Sequence, residues 1–486
     1  MYSKSGVSFA MGICLLLVGP VCGVFAPHEA KAEVRLPKLF GNGMVLQQQA
    51  DVAIWGWEDA AQEVTVTLGA STAKTTAGAD GRWLVRLKTP AAGGPLELQV
   101  KGKNDVKVQD VLVGEVWICS GQSNMEWVVA QSQNAAEEIA AAKYPRIRMI
   151  KVGHHVASRP QDDLEGQWTV CSPESAAAFS AVGYYFARHL HQQLGQGDKS
   201  VPIGMINSSW GGTICEAWTS REALEADEDF KPILERAAIF QANNPNQAAA
   251  LFNGMLNPII PYGIKGAIWY QGESNVSRAE QYRKLFPAMI TDWRKRFGQG
   301  DFPFLFVQLA PFKYGHDPRL LAEQWESQRS TLELPNTGMA VTTDIGNVVD
   351  IHPANKQDVG KRLALWALAR HYGKSDLVYS GPLYESMSVE GNKIRVRFGH
   401  VGGGLIARGY KPLSHFLIAG EDQQFFEAMA VIDGGSILVS SDKVSKPVAV
   451  RFAWEQTAEP NLFNKEGLPA SPFRTDDFKL ISADAK

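Results

Sequence analysis

The sequence predicts an α/β fold: a three-layer parallel sheet in the middle of the chain, flanked by an N-terminal β-sandwich and a C-terminal β-rich domain. Three observations carry this. Short alternating β patterns with Gly, Asp and Pro turns fill residues 34–113, apolar strand runs alternate with amphipathic helical runs over 116–373, and strand patterns return from 376. Strands interleaved with helices give a parallel sheet covered on both faces, whereas strands alone give sandwiches. At 486 residues, the chain also exceeds one ordinary core, and its length suggests two to four domains of about 100–200 residues. The expected division is 1–32, a removable export signal; 33–113, the sandwich; 114–375, the α/β domain; and 376–486, the β-rich domain.

The first segment has Lys4, an apolar stretch from Val7 to Phe25 and then Ala30-Lys31-Ala32. This is the charge, apolar run and small-x-small site of a secretory signal. Pro20 and the glycines in the run make it a poor spanning helix, and nothing later approaches the roughly 18 apolar residues a bilayer requires. The mature chain is therefore expected to begin near Glu33, with no membrane span and an exported, periplasmic or extracellular location.

In the next segment Val52–Trp57, Val64–Leu68, Trp83–Leu87 and Leu96–Val100 read as strands. Val64, Val66 and Leu68 alternate with threonines, giving one buried and one wet face. Central strands are expected at Val116–Cys119, Ile147–Val152, Ile203–Asn207, Ala267–Tyr270, Phe304–Leu309 and Met339–Thr343. Helices are expected at Ser180–Leu194 and Asn355–Tyr372, where apolar residues recur at helical spacing. Ile394–Phe398, Ser414–Ile418, Ile437–Val439 and Val448–Phe452 are the last strands.

A formal net charge of -3 supplies no broad basic field, which excludes nucleic acid and anionic membrane surfaces as partners. Of five cysteines, Cys14 and Cys22 fall in the signal. Cys119, Cys171 and Cys215 remain, without metal-ligand spacing, and read as small buried hydrophobes.

In open α/β sheets ligands bind beyond the carboxyl ends of the strands. Four polar motifs stand at such ends. Ser123, in Ser120-Gly-Gln-Ser-Asn-Met125, follows the first central strand, but the motif is not a Gly-x-Ser-x-Gly elbow. A serine there becomes a nucleophile only when a histidine takes its proton and a carboxylate holds that histidine. Asp350-Ile-His352-Pro, ahead of the last helix, supplies both. Asn207-Ser-Ser-Trp210-Gly211-Gly212-Thr213 offers backbone N–H groups to a developing oxyanion. Trp269-Tyr-Gln271-Gly-Glu273-Ser-Asn275 adds side-chain amides.

Two other chemistries fit less well. A glycosidase needs two carboxylates flanking a sugar ring, and only Glu273 and Asp350 compete for that role. A hydrolytic metal would have Asp344, Asp350 and His352 as ligands, with no His-Glu-x-x-His and no Cys pair; no metal is expected.

These segments, in this order, resemble the sialate O-acetylesterase family of the SGNH-hydrolase superfamily. The likeness rests on Gly114–Met125, Cys171–Glu174, Ile206–Thr213, Glu216–Trp218, Leu251–Met255, Ile268–Asn275, Asp350–Lys356 and Glu466–Arg474, nearly the whole mature chain. It implies an SGNH-type three-layer domain and a serine esterase that removes acetyl groups from sugar hydroxyls, 9-O-acetyl sialate above all, through an acetyl-enzyme and without a cofactor. Ser123 would be the nucleophile, His352 the base and then the acid, and Asp350 its orienting carboxylate.

The resemblance also implies an oxyanion hole from the Ser123 N–H, Gly211 or Gly212, and an amide. Here the chain departs from the superfamily's Gly-x-Asn-Asp block: Ser274 stands where the amide belongs, so Gln271, or else Asn275, substitutes. Only one residue separates Asp350 from His352 where two are usual, leaving Asp344 as reserve acid. Gln122, Asn124, Trp210 and Glu273 are expected to contact the substrate, an O-acetylated sialic acid or other acetylated glycan. Acetylated xylan is the alternative substrate. A non-catalytic carbohydrate-binding protein, with Trp55, Trp57 and Trp218 as platforms, is the alternative class.

Overall fold

One strand, β1 (Asp105–Gly121), runs from the N-terminal β region into the central sheet. From Val111 to Gly121 every residue is buried, the pattern of a strand covered on both faces. Its first half instead pairs antiparallel with Gly93–Lys101 of the N-terminal β region. The expected boundary at 113/114 lies inside this continuous strand. The computed structural model describes residues 33–195 and 197–485; the expected signal, 1–32, lies outside the described residues.

The central sheet also contains β2 (Tyr144–Lys151), β3 (Thr169–Cys171), β4 (Ile203–Ser209), β5 (Gly266–Tyr270), β6 (Phe304–Val307) and β7 (Thr337–Ala340). Their order is β7-β6-β5-β1-β4-β2-β3. All pairs are parallel except β2 with β3. Ser209 and Tyr270 both lie opposite Gly121, so the chain leaves β1, β4 and β5 at one level. Side chains alternate across the sheet as strand geometry requires. Ile118, Ile206, Ala267, Trp269 and Phe306 enter one apolar layer, and Trp117, Cys119, Met205, Ile268 and Leu305 the other.

Five helices matter to the site: α1 (Ser123–Glu126), α2 (Ala181–Gln193), α3 (Ala279–Phe297), α4 (Leu320–Ser330) and α5 (Lys356–His371). Tyr282, Leu285, Phe286 and Met289 of α3 cover the first face. Tyr185 and Phe186 of α2, Trp325 of α4 and Leu363 of α5 cover the second. The two helices expected from periodicity stop one residue inside the expected ends, where Ser180 and Asn355 act as caps by accepting from the N–H of Gly183 and Asp358.

The N-terminal β region shares the first apolar layer: Val52, Ile54, Val64, Val66 and Trp83 pack in one cluster with Tyr262 and the α3 residues. The C-terminal strands close round their own core of Ile394, Val396, Ile418, Val439, Phe452 and Phe473. Arg474 then ties this region to α4 through buried Glu326 at 2.9 Å. Cys119, Cys171 and Cys215 are buried and unbridged.

Gly121 has φ +134°, and a Cβ there would sit 2.1 Å from the Tyr270 carbonyl oxygen. Backbone cannot yield as a flexible side chain does. Gly121→Ala is therefore expected to destabilise the fold by about 3 kcal/mol, seen as a lower urea midpoint.

Candidate active site

The turn at Gly121 releases Ser123 from the buried strand and makes it the first residue of α1, where its N–H has no partner within the helix. The segment after β7 brings His352 back across the sheet edge. His352 Nε2 lies 2.8 Å from Ser123 Oγ, the distance needed to take the hydroxyl proton. The imidazole stacks on Trp127, with ring centroids 4.9 Å apart and planes 14° from parallel. The glycine loop after β4 closes the other side. A Cβ on Gly211 would lie 3.3 Å from Ser123 Cβ, so glycine is what permits the approach.

Asp350 holds the ring loosely. Its Oδ1 is 3.8 Å from His352 Nδ1, beyond hydrogen-bond range, and accepts instead from the His352 backbone N–H at 2.9 Å. Its side chain is 55% exposed. The single intervening residue folds the carboxylate onto the backbone of His352. The reserve acid is spent elsewhere: Asp344 is buried and paired with Arg362 at 2.7 Å and Arg408 at 3.2 Å.

Beneath the serine and histidine runs a buried polar chain. Asn124 Nδ2 donates to Glu273 Oε1 at 2.6 Å and to the Ile351 carbonyl at 2.9 Å, while its Oδ1 accepts from Lys356 Nζ. Asn124 thereby joins the residue after Ser123 to the residue before His352. Lys356 is fully buried, and desolvation pulls it down to about 7 against the attraction of Glu273. Desolvation pushes Glu273 up. Burial also lowers the proton affinity of His352; the Lys356 charge lowers it further, and Asp350 opposes both. A neutral ring results, able to accept a proton at neutral pH.

Several expected contacts are corrected by this geometry. Gln271 is completely buried, and its Nε2 donates to the Thr213 carbonyl at 3.1 Å and Asn275 Oδ1 at 2.7 Å. Asn275 Nδ2 donates to Glu216 at 2.9 Å. Both amides brace the 213–216 loop from within the core: Gln271 has both amide hydrogens bonded, and Asn275, itself buried, turns its amide toward Glu216. Gly211 N–H donates to Glu126 Oε2 at 2.8 Å; Gly212, at φ +73° with open space about it, is the exposed glycine of the pair. Gln122, Asn124 and Glu273 are buried and engage one another or the framework. Trp210 alone of that group is at the surface, half-buried and stacked on His154 with centroids 4.0 Å apart. Trp218 is buried completely and is no platform.

Glu126, Trp127, His154 and Lys356 were not predicted as site residues. Glu126 lies 3.0 Å from His154 Nε2 and 3.3 Å from Lys151 Nζ; His154 and Lys151 lower its proton affinity despite burial. For Lys356 a signal existed: it stands four residues after His352, at the start of a helix.

Residues 113–369 match the family model described as carbohydrate esterase, sialic acid-specific acetylesterase. The human protein named sialate O-acetylesterase is 32% identical, with 96% of each chain covered; the mouse protein of that name is 34% identical over 76% of this chain and 79% of its own. The chain belongs to this family. A crystal structure of a carbohydrate acetylesterase from Xanthomonas citri is 42% identical, with TM-score 0.85, covering 92% of this chain and 100% of that one. The protein is thus a carbohydrate O-acetylesterase with an SGNH-type α/β core, which removes the non-catalytic reading. Among the described residues of the esterase no helix is long and apolar enough to cross a membrane.

Two outcomes follow from this geometry. Asp350→Asn is expected to lower kcat only about 10-fold, against the roughly 10⁴-fold loss where a buried aspartate is bonded squarely to its histidine; steady-state kinetics measure it. Lys356→Met removes a positive charge that disfavours protonation of His352, so the acid limb of the kcat/KM–pH profile should move to higher pH.

Proposed function

We propose that the esterase removes O-acetyl groups from sialic acids, with 9-O-acetylated sialate as its substrate. The observation that carries the mechanism is the 2.8 Å contact between Ser123 Oγ and His352 Nε2. Sialate as the acid follows from the names of the human and mouse relatives.

In this reading Ser123 Oγ attacks the acetyl carbonyl as its proton passes to His352 Nε2. The tetrahedral oxyanion is held by the backbone N–H groups of Ser123 and Gly212, the pair left once Gln271, Asn275 and Gly211 are spent on the framework. His352 then protonates the departing sugar oxygen. Water, giving its proton to the same nitrogen, attacks the acetyl-serine carbonyl, releasing acetate and restoring Ser123. Asp350 supports the transient imidazolium electrostatically, and Trp210 borders the sugar site. The flanking β regions, 33–113 and 376–486, are supporting domains of the 114–375 catalytic domain, and residues 1–32 direct export before cleavage at Ala30-Lys31-Ala32.

A second reading takes a neutral acetylated glycan as substrate. It is favoured by the 42% identical Xanthomonas citri structure, whose name specifies a carbohydrate acetylesterase and no sialate.

Ser123→Ala should lower acetate release from 9-O-acetylated sialic acid by at least about 10⁴-fold with an unchanged circular dichroism spectrum. Wild-type turnover in that variant would remove Ser123 from the mechanism.

A further inference from the structure

Behind the loop that carries Gly211 and Gly212 lies a polar cavity of about 330 Å³, large enough for part of a small ligand. Asn246 joins the two: its Nδ2 donates to the Gly212 carbonyl at 3.1 Å, and its Oδ1 accepts from the Ile214 N–H at 2.9 Å. Both Asn246 and Ile214 line the cavity. On the same loop, a Cβ at Gly211 would lie 3.3 Å from Ser123 Cβ. The cavity is therefore one loop removed from the candidate nucleophile.

Its charged lining consists of Arg236, Arg278 and Glu216. Glu216 is buried and committed, with Oε1 accepting from Arg278 Nη2 at 2.8 Å and Oε2 from Asn275 Nδ2 at 2.9 Å. Arg236 is exposed, and its guanidinium has no hydrogen bond or ion pair among the described residues. Two guanidinium groups against one spent carboxylate leave the cavity with a net positive charge. Gln247 stiffens the wall beside Arg236, donating to the Ala237 and Ile239 carbonyls at 3.1 and 2.7 Å and accepting from the Gln241 N–H at 2.6 Å. Ile239, 81% exposed, adds apolar surface at the rim.

We propose that this cavity binds the carboxylate of an acetylated sugar acid, with Arg236 as its principal cation; the inference rests on the sialate reading above. A planar guanidinium pairs with a carboxylate through two parallel, charge-assisted hydrogen bonds, stronger than those the hydroxyls of a neutral sugar accept. In a 9-O-acetylated sialic acid the ester and the carboxylate stand at opposite ends of the molecule. A carboxylate subsite must then be displaced from the nucleophile, as this cavity is. The apolar rim suits the N-acyl methyl that such sugars carry.

The test compares 9-O-acetylated sialic acid with a neutral acetylated xylo-oligosaccharide in the wild type, Arg236→Met and Arg236→Lys. Arg236→Met should raise KM for the sialate ester about tenfold more than KM for the neutral ester, with kcat for the sialate held. Arg236→Lys, which keeps the charge, should recover part of that loss. Equal effects on both esters, or none on either, would overturn the assignment while leaving sialate as substrate. A wild type that releases acetate from the neutral ester and none from the sialate would overturn the substrate reading, and the carboxylate subsite with it.

Discussion

The side chain of Asn124 is the joint on which the site depends. Ser123 belongs to the turn after β1 and His352 to the segment after β7, and these strands are separated by β5 and β6 in the sheet. Their approach to 2.8 Å requires something to hold two loops in register. The Asn124 amide does so by donating at once to Glu273 and to the Ile351 carbonyl while accepting from Lys356. All of its polar atoms are used. An apolar residue here would take from the Lys356 amine, Glu273 Oε1 and the Ile351 carbonyl the partner that Asn124 supplies, each loss costing about 1–3 kcal/mol. Position and chemistry thus reinforce each other: the residue beside the serine is chosen for what it does to the loop that carries the histidine.

The same joint explains how an ionisable pair survives inside the protein. Moving a lysine and a glutamate out of water is expensive, and their attraction seldom repays all of it. Here desolvation drives both toward their neutral forms, and Asn124, able to donate and accept, accommodates the proton on either side. The aromatic rings of Tyr270 and Trp127 stand 5.3 and 5.9 Å from Lys356 Nζ and offer further stabilisation to its charged form. Lys356 is the first residue of α5, so the helix that covers one sheet face also delivers the cation beneath the site.

Much of the architecture was legible because burial writes period into sequence. The unbroken apolar run through β1, the alternation in Glu63–Leu68 and the helical spacing in α2 and α5 each reflect which faces meet water. Ser123, His352 and the glycine loop were legible because each interrupts such a pattern at a strand end. The oxyanion donors were harder. Gln271 and Asn275 looked available because they are polar and follow β5, yet one-dimensional order does not show that Thr213 and Glu216 stand directly above them. The fate of Asp344 depended likewise on Arg362 and Arg408, which no local spacing links to it.

Asp350 shows how tertiary context alters the meaning of a motif. A triad read from sequence assigns the aspartate two tasks, fixing the imidazole's orientation and stabilising its charge. At 3.8 Å from Nδ1 and with much of its side chain in water, Asp350 is poorly placed for the first and screened in the second. Trp127 takes over orientation by stacking on the ring. Charge is governed from below, since burial and Lys356 together outweigh the pull of Asp350 on His352. The proton affinity of the ring is therefore set chiefly by what surrounds it. A base kept neutral in this way accepts a proton over a wider range of acidity but forms a less stable imidazolium, so the step that benefits most is return of the proton to the departing sugar oxygen.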